Sequence, residues 1–228
     1  MRGKEDWYDT TISFKFEIFR FGPHPHSDME IVTVVLRGAI KHEDNLGNVE
    51  VTSAGEVQRM SAGSGIIHAE YNASETDDLN FLQLWFMPSE RGVTPSFETK
   101  RYDAQGLQNQ LLPVVSPMGG KKIAAIHQDM TIYLSRLEAA KTLSFSQKED
   151  RRTFLFVDTL CAVGTARART RDHEVERRAE CLFVPGARGT AYPKDLVLRE
   201  GRSCRIRCSI WSANDCGGIE YRIHSRAV

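Results

Sequence analysis

The sequence predicts an all-β protein made of short strands in a sandwich or barrel. Several stretches alternate apolar and polar residues with a period of two, which is typical of half-buried strands. Clusters of Gly, Asn, Asp and Ser separate these stretches at close spacing, as expected for sandwiches and barrels. Helical periodicity is scarce, and the strand pattern begins again in the second half of the chain.

The predicted strands follow one another along the chain. The alternating stretches are SFKFEIF (13–19), NFLQLWFMP (80–88) and TIYLSRL (131–137), and EIVTVVLRGAIKHED (30–44) is rich in β-branched residues with a Gly-containing bend. Residues 44–48, 53–55 and 61–65 consist largely of types that tolerate tight turns, so we expect loops there. In the second half, RTFLFVD (152–158) opens another series of strands broken by Gly and Pro.

Length and composition indicate a folded protein without a membrane segment. The chain has 228 residues, 41% apolar and 26% charged, enough for one large domain or two of ordinary size. Its first ten residues contain charges with no apolar stretch behind them, and no run approaches about eighteen apolar residues. We therefore expect neither a signal peptide nor contact with a membrane, and a cytoplasmic location.

The two halves of the chain carry opposite charge. Residues 1–120 contain 10 Lys and Arg against 17 Asp and Glu, and residues 121–228 contain 20 against 13, giving −7 and +7. A basic half could contact nucleic acid, but TARARTRDHEVERR (165–178) interleaves acidic residues and has no aromatic residues for base stacking. Two oppositely charged units are the favoured interpretation, and direct binding to nucleic acid is not expected.

The cysteines do not form a recognisable zinc site. All five lie in the second half, an odd number without the short paired spacings of a structural zinc ligand set: Cys161, Cys181, Cys204, Cys208 and Cys216. We expect free thiols that pack as small apolar groups.

Two short pairs contain residue types that bind metals. His24 and His26 in FGPHPHSDME are two residues apart, and His68 and Glu70 in GIIHAEYN repeat this spacing. Side chains two apart on a strand point to one face, so each pair can face a single point inside a barrel. On neighbouring strands they would present three imidazoles and one carboxylate, which suit iron(II), nickel, copper, manganese or zinc. The alternative is a set of scattered surface histidines.

The surrounding residues resemble the two motifs of the cupin superfamily. The first motif, His-x-His followed by Glu and Gly, is matched within GPHPHSDMEIVTVVLRG (22–38). The second is matched within GEVQRMSAGSGIIHAEYN (55–72), where Ser61 replaces the motif's proline and two residues are added before His68. With LQLWFMP (82–88), RGVTPSFETKRYDAQG (91–106) and IHQDMTIYLSRLEA (126–139), the chain resembles the pirin family, especially bacterial pirin-like proteins with quercetinase activity.

This resemblance implies a bicupin, with two β-barrels of the double-stranded β-helix type in one chain. We expect a metal-binding cupin domain at residues 1–103, a linker at 104–122 and a C-terminal cupin domain without a metal site at 123–228. The second repeat has Thr190, Ala191 and Tyr192 where a second His-x-Glu pair is needed. Similar proteins carry a further strand before the His-x-His pair, so we expect the first barrel to be shortened at its N-terminal side.

The resemblance also implies a ligand set. It assigns His24, His26, His68 and Glu70 to one divalent transition metal, with iron(II) first and nickel, copper, manganese or zinc as alternatives. Glu30 is a ligand in many other cupins, but the resemblance implies that it is not one here. His42 is interpreted as a group at a strand end or behind the ligands rather than as a fifth ligand.

The function implied by the resemblance is a metal-dependent dioxygenase that opens the central ring of flavonols such as quercetin with O2. Glu70 would act as the general base that removes the substrate's hydroxyl proton. Candidates for the pocket wall are Met60, Phe21, Trp85 and Gln58, with core packing as the alternative for each. The second hypothesis is a metal-containing, redox-sensing regulator that acts through a protein partner.

Overall fold

The computed structural model describes residues 10–16, 20–138, 141–148, 152–158, 178–186, 195–200, 204–213 and 218–227. Within these ranges the chain forms strands and a single turn of 3-10 helix at Ala104–Leu107, so the all-β prediction is confirmed. None of the helical structure in this part of the chain has the length or apolar character needed to cross a membrane.

The chain divides into two compact units that alternate along the sequence. One unit contains Met1–Asp103 and Val114–Met130, and the other contains Ala104–Pro113 and Thr131–Val228. The predicted connector therefore contains ordered elements, namely the 3-10 turn and strand β10 (Leu112–Ser116). The predicted domain boundaries and the predicted shortening of the first barrel stay predictions.

Strands of the first unit form two antiparallel sheets. In chain order they are β1 (Thr10–Phe16), β2 (Arg20–His26), β3 (Glu30–Arg37), β4 (Ala39–Asp44), β5 (Val49–Ser53), β6 (Glu56–Ser61), β7 (Ile66–Asn72), β8 (Leu79–Phe86) and β9 (Ser96–Arg101). One sheet has the order β1-β8-β3-β6-β9 and the other the order β2-β7-β4-β5. A short parallel pair, β10 with β11 (Ala124–Ala125), follows them in the chain.

Turn residues define where these strands end. The predicted bend in residues 30–44 lies at Gly38, which separates β3 from β4 and has φ +76°. A Cβ atom there would lie 2.5 Å from the carbonyl oxygen of Asp78, so only glycine fits. Asp44 accepts hydrogen bonds from the backbone N–H groups of Leu46 and Asn48, which closes the hairpin between β4 and β5.

The core of the first unit lies between its two sheets. One apolar cluster joins Val35, Leu79 and Phe81 of the first sheet to Ile40 of the second. The other contains Ile31 and Met60 from the first sheet, Ile66 from the second, and Ala62. Residues from both sheets are thus buried together, as the alternating sequence pattern predicts.

The second unit is also built from antiparallel pairs. Its strands are β12 (Ile132–Glu138), β13 (Thr142–Lys148), β14 (Arg152–Asp158), β15 (Arg178–Gly186), β16 (Asp195–Glu200), β17 (Cys204–Ala213) and β18 (Gly218–Ala227). β15 pairs with β12 and β14, and a four-stranded sheet has the order β13-β18-β17-β16. Thr190, Ala191 and Tyr192, on which the prediction of an empty second site rests, lie outside the described residues, as do Cys161 and Cys216.

Candidate metal centre

Three of the four predicted ligands come together where β2 and β7 pair. His24 lies opposite His68 in this antiparallel pair, and the register shifts between Phe21 and His24. The ring centroids are 4.4 Å apart for His24 and His68, 4.8 Å for His24 and His26, and 5.1 Å for His26 and His68. One ligating atom from each of the three rings lies within 4.8 Å of the others, close enough to hold one ion.

The hydrogen bonding of these rings leaves nitrogen atoms that could bind a metal ion. His24 Nδ1 lies 2.8 Å from the carbonyl oxygen of Gly22, which can only accept, so Nδ1 donates and the other nitrogen of the neutral ring is bare. Nε2 of His26 and Nε2 of His68 are buried and have no hydrogen-bond partner. Buried polar atoms almost always have a partner, so these nitrogens fit a bound metal ion.

Electrostatics favour the neutral form of His26 and His68, which is the form that binds metals. Burial lowers the pKa of His68 to about 3, helped by the nearby His24, His42 and His26. The pKa of His26 is also lowered, first by burial and then by His24. At neutral pH each of these two rings therefore has one nitrogen with a free lone pair.

Glu70, the fourth predicted ligand, lies two residues after His68 on β7 and is buried. Its Oε1 accepts a 2.7 Å hydrogen bond from Gln58 Nε2, and its Oε2 accepts one of 2.7 Å from Gln83 Nε2. Glu70 groups with His68 and His42, and not with His24 and His26. Each of its oxygens still has a second lone pair for a metal or a proton.

Burial raises the pKa of the Glu70 carboxyl group, and hydrogen bonds from Gln83 and Gln58 and the nearby His42 only partly oppose this effect. A carboxylate with a raised pKa holds a proton more readily near neutral pH. This property suits a general base in a water-poor site.

The two glutamines are themselves held in orientation. Gln58 Oε1 accepts a hydrogen bond from Thr52 Oγ1 at 3.0 Å, and Gln83 Oε1 accepts one from Trp85 Nε1 at 2.9 Å. An indole N–H can only donate, so the amide nitrogen of Gln83 must face Glu70. Sequence reasoning missed Gln83, although a polar residue within the apolar stretch FLQLWF was a signal for it.

His42 lies beside His68 and is completely buried. Its Nδ1 is 3.4 Å from His68 Nδ1, and its Nε2 is 3.0 Å from Oδ2 of Asp44. The imidazole stacks on Phe97 with a centroid distance of 4.0 Å and an interplanar angle of 14°. His42, interpreted from the sequence as a group at a strand end or behind the ligands, is thus in contact with a predicted ligand.

The carboxylate of Glu30 belongs to neither of the two groups of candidate ligands. It is fully buried and accepts a hydrogen bond from Ser61 Oγ at 2.9 Å. His127 Nδ1 lies 3.3 Å from the other carboxylate oxygen and 3.1 Å from Ser61 Oγ. His127, which is isolated in the sequence, therefore has partners far from it along the chain.

The candidates for the pocket wall differ in their surroundings. Met60 is part of the apolar cluster around Ile31, so it packs in the core. Phe21 is half exposed, and its ring centroid is 5.0 Å from that of His24 in an edge-on arrangement. Trp85 is partly buried and approaches His26 edge-on at 5.3 Å.

Comparison with solved structures identifies the family. The crystal structure of the bacterial pirin YhhW from Escherichia coli in complex with nickel(II) matches with 35% sequence identity and a TM-score of 0.60. The match covers 75% of this chain and 77% of that chain. The chain belongs to the pirin family. Within that family, the Pirin model matches residues 6–86, and the model of the quercetinase C-terminal cupin domain matches residues 113–171.

Curated pirin relatives give further matches. Quercetin 2,3-dioxygenase of Escherichia coli strain K12 is 50% identical over 113 residues, which are 50% of this chain and 48% of that protein. A pirin-like protein of Caulobacter vibrioides is 41% identical over 136 residues, 59% of this chain and 58% of the relative. The chain thus spans about half the length of the curated relatives it matches.

Proposed function

We propose that this pirin is a metal-dependent dioxygenase that opens the central ring of flavonols such as quercetin with O2. The observation that carries the proposal is the pair of buried, unpartnered nitrogens on His26 and His68 beside the buried carboxylate of Glu70. The resemblance to a protein named quercetin 2,3-dioxygenase supports the choice of substrate class.

One divalent transition metal is proposed to bind His24, His26, His68 and Glu70. Three imidazoles and one carboxylate suit iron(II), nickel, copper, manganese or zinc, and the resemblance described above makes iron(II) the first choice. When bound, such an ion supplies a Lewis acid that lowers the pKa of a coordinated flavonol hydroxyl and brings the flavonolate together with O2. The match to a pirin solved in complex with nickel(II) supports the binding of a metal.

Glu70 is proposed to take the proton of the flavonol 3-hydroxyl group. Its raised pKa brings it closer to the range in which a general base is effective. Gln58 and Gln83 hold its carboxylate in a fixed orientation by the two 2.7 Å hydrogen bonds. Phe21 offers a half-exposed aromatic ring next to His24 against which a flat flavonol can pack. Carbon monoxide and a depside are the expected products.

The proposal is tested on purified protein loaded separately with iron, nickel, copper and manganese. Metal content, O2 uptake and bleaching of the flavonol absorption are measured on the same samples. We expect O2 uptake in proportion to flavonol loss with at least one metal, and none for His26→Ala. A protein that binds a full complement of each metal and consumes no O2 with any flavonol would refute the dioxygenase proposal.

A further inference from the structure

Three side chains form a hydrogen-bonded series that ends at a proposed ligand. Oδ2 of Asp44 lies 3.0 Å from Nε2 of His42, and Nδ1 of His42 lies 3.4 Å from Nδ1 of His68. The side chains of Asp44 and His42 are inaccessible to solvent, and His68 is 2% exposed. Water therefore does not compete for these bonds.

The chemistry of the three groups fixes the direction of each hydrogen bond. The Asp44 carboxylate can only accept, so Nε2 of His42 carries the hydrogen. A neutral His42 then has a bare Nδ1, and the hydrogen between the two imidazoles must belong to Nδ1 of His68. Nε2 of His68 is consequently bare, which agrees with its being buried without a hydrogen-bond partner.

We propose that Asp44 and His42 are positioning residues that fix the tautomer of His68 and so present its Nε2 to the metal. The inference rests on the proposed function in one respect, which is that His68 is a ligand. Partners of this kind orient ligating histidines and raise their basicity, and their loss typically weakens metal binding about 10–100-fold.

Further contacts hold the first two members of the series, Asp44 and His42, in place. Asp44 also accepts hydrogen bonds from Leu46 N at 2.9 Å, Asn48 N at 3.0 Å and Asn48 Nδ2 at 2.7 Å. His42 is fixed by stacking on Phe97. The turn that joins β4 and β5 therefore sets the orientation of a side chain on β7.

A second metal ion is the competing explanation for the same residues. His42, His68 and Glu70 lie close enough to hold one. However, Nε2 of His42 is engaged with Asp44, and Nδ1 of His42 shares a hydrogen with Nδ1 of His68 in the series described above. Neither nitrogen of His42 is then left for an ion, so we expect one ion per chain.

The tautomers are tested directly in the metal-free full-length protein. In long-range 1H–15N spectra of 15N-histidine-labelled protein, we expect His68 to be protonated at Nδ1 and His42 at Nε2. Asp44→Asn replaces the acceptor by an amide that can donate to His42 Nε2, which inverts both tautomers. Protonation of His68 at Nε2 in the wild type would overturn the inference.

Metal binding supplies the second measurement, with Zn²⁺ and Ni²⁺ as probes. We expect His42→Leu and Asp44→Asn to bind about 10–100-fold more weakly than wild type. His42→Asn keeps an acceptor near the position of Nδ1, so its affinity is expected to return towards that of wild type. If Asp44→Asn does not fold, the comparison of His42→Asn with His42→Leu tests the positioning role instead.

The outcomes separate this inference from the proposed function. Equal affinity in wild type and all folded variants, or two ions per chain lost together in His42→Leu, would overturn the positioning role while leaving the dioxygenase proposal intact. If the wild-type protein shows the expected tautomers but binds no metal, the proposed function is refuted. The role of His42 in metal binding is then refuted with it.

Discussion

Ser61 donates its hydroxyl hydrogen to Oε2 of Glu30 across 2.9 Å in the interior of the first unit. Ser61 occupies the position at which the cupin motif has proline, a residue whose side chain has no hydrogen-bond donor. The carboxylate of Glu30, a ligand in many cupins, here bonds to Ser61 and His127 and lies outside the histidine group. Ser61 thus supplies the Glu30 carboxylate with a hydrogen bond in place of a bond to a metal ion.

Ser61→Ala is expected to destabilise the protein without removing its metal site. The substitution deletes a donor to the buried Glu30 and an acceptor for Arg59, which costs about 1–3 kcal/mol of unfolding free energy. Denaturant unfolding measures the loss. Ser64→Ala changes an exposed serine of the same turn and should leave stability unchanged. Loss of metal binding in a folded Ser61→Ala protein would contradict this account of Glu30.

His26→Leu is expected to abolish metal binding without destabilising the metal-free protein. The substitution removes a buried nitrogen that has no hydrogen-bond partner, so the unfolding free energy of the metal-free protein should stay equal or rise. Metal content and chemical denaturation of the same preparation measure both effects. His127→Gln is the control, because His127 belongs to neither candidate ligand group, and it should retain metal. A His26→Leu protein with bound metal would exclude His26 as a ligand.

The metal-free protein is expected to lose stability in acid because of His68. Its pKa is lowered from 6.5 to about 3 by burial and the nearby imidazoles, so the unfolded chain takes up a proton that the folded protein does not. The contribution of neutral His68 to the unfolding free energy is complete above pH 6.5. It is lost as pH falls towards 3, at about 1 kcal/mol of unfolding free energy per pH unit. His68→Gln should show a shallower loss than wild type when unfolding is followed against pH.

Glu70 has the opposite effect on the pH dependence of stability over part of this pH range. Burial raises its pKa above the ordinary 4.5, so lowering the pH to 4.5 favours the folded protein and offsets part of the effect of His68. Glu70→Gln should therefore begin to lose stability at a higher pH than wild type. Coincident stability curves for Glu70→Gln and wild type above pH 4.5 would show that the pKa of Glu70 is not raised.

Gln83→Met is expected to shift the pH dependence of the proposed reaction. The hydrogen bond from Gln83 lowers the pKa of Glu70, so its loss should raise that pKa further. The acidic limb of the kcat/KM profile should move to higher pH, because Glu70 must be ionised to accept a proton. Gln110→Met, an exposed substitution of the same kind, serves as the control. An unchanged pH profile would show that Glu70 does not accept the proton in the rate-determining step.

The sequence predicts the strands and the histidine pairs for the same physical reason. Alternation with a period of two marks β8 and β12, β-branched residues mark β3, and the period of two puts His24 and His26 on one face. Candidate ligands two residues apart on a strand can therefore be predicted from one sequence. The long-range order β1-β8-β3-β6-β9 is not encoded in any local stretch, so the sequence alone did not reveal it.

The supporting residues of the site depend on this long-range order. Gln83 reaches Glu70 because β8 and β7 belong to facing sheets of the first unit, and Trp85 fixes Gln83 from the same strand. Likewise, His127 and Glu30 are 97 residues apart in the chain. No spacing rule relates such residues, and only the folded arrangement brings their polar atoms together.

The alternation of the two units along the chain has a consequence for modularity. Ala125 N donates to Glu98 at 2.7 Å, and His127 Nδ1 lies 3.3 Å from Glu30, so residues after 113 complete the bonding of the unit that begins at the N-terminus. A gene fragment that ends after residue 103 encodes the candidate ligands but not these partners. Recombination at a single junction after residue 103 cannot transfer the complete first unit. Evolution and engineering must therefore transfer it together with the segment of the second unit that separates its two parts.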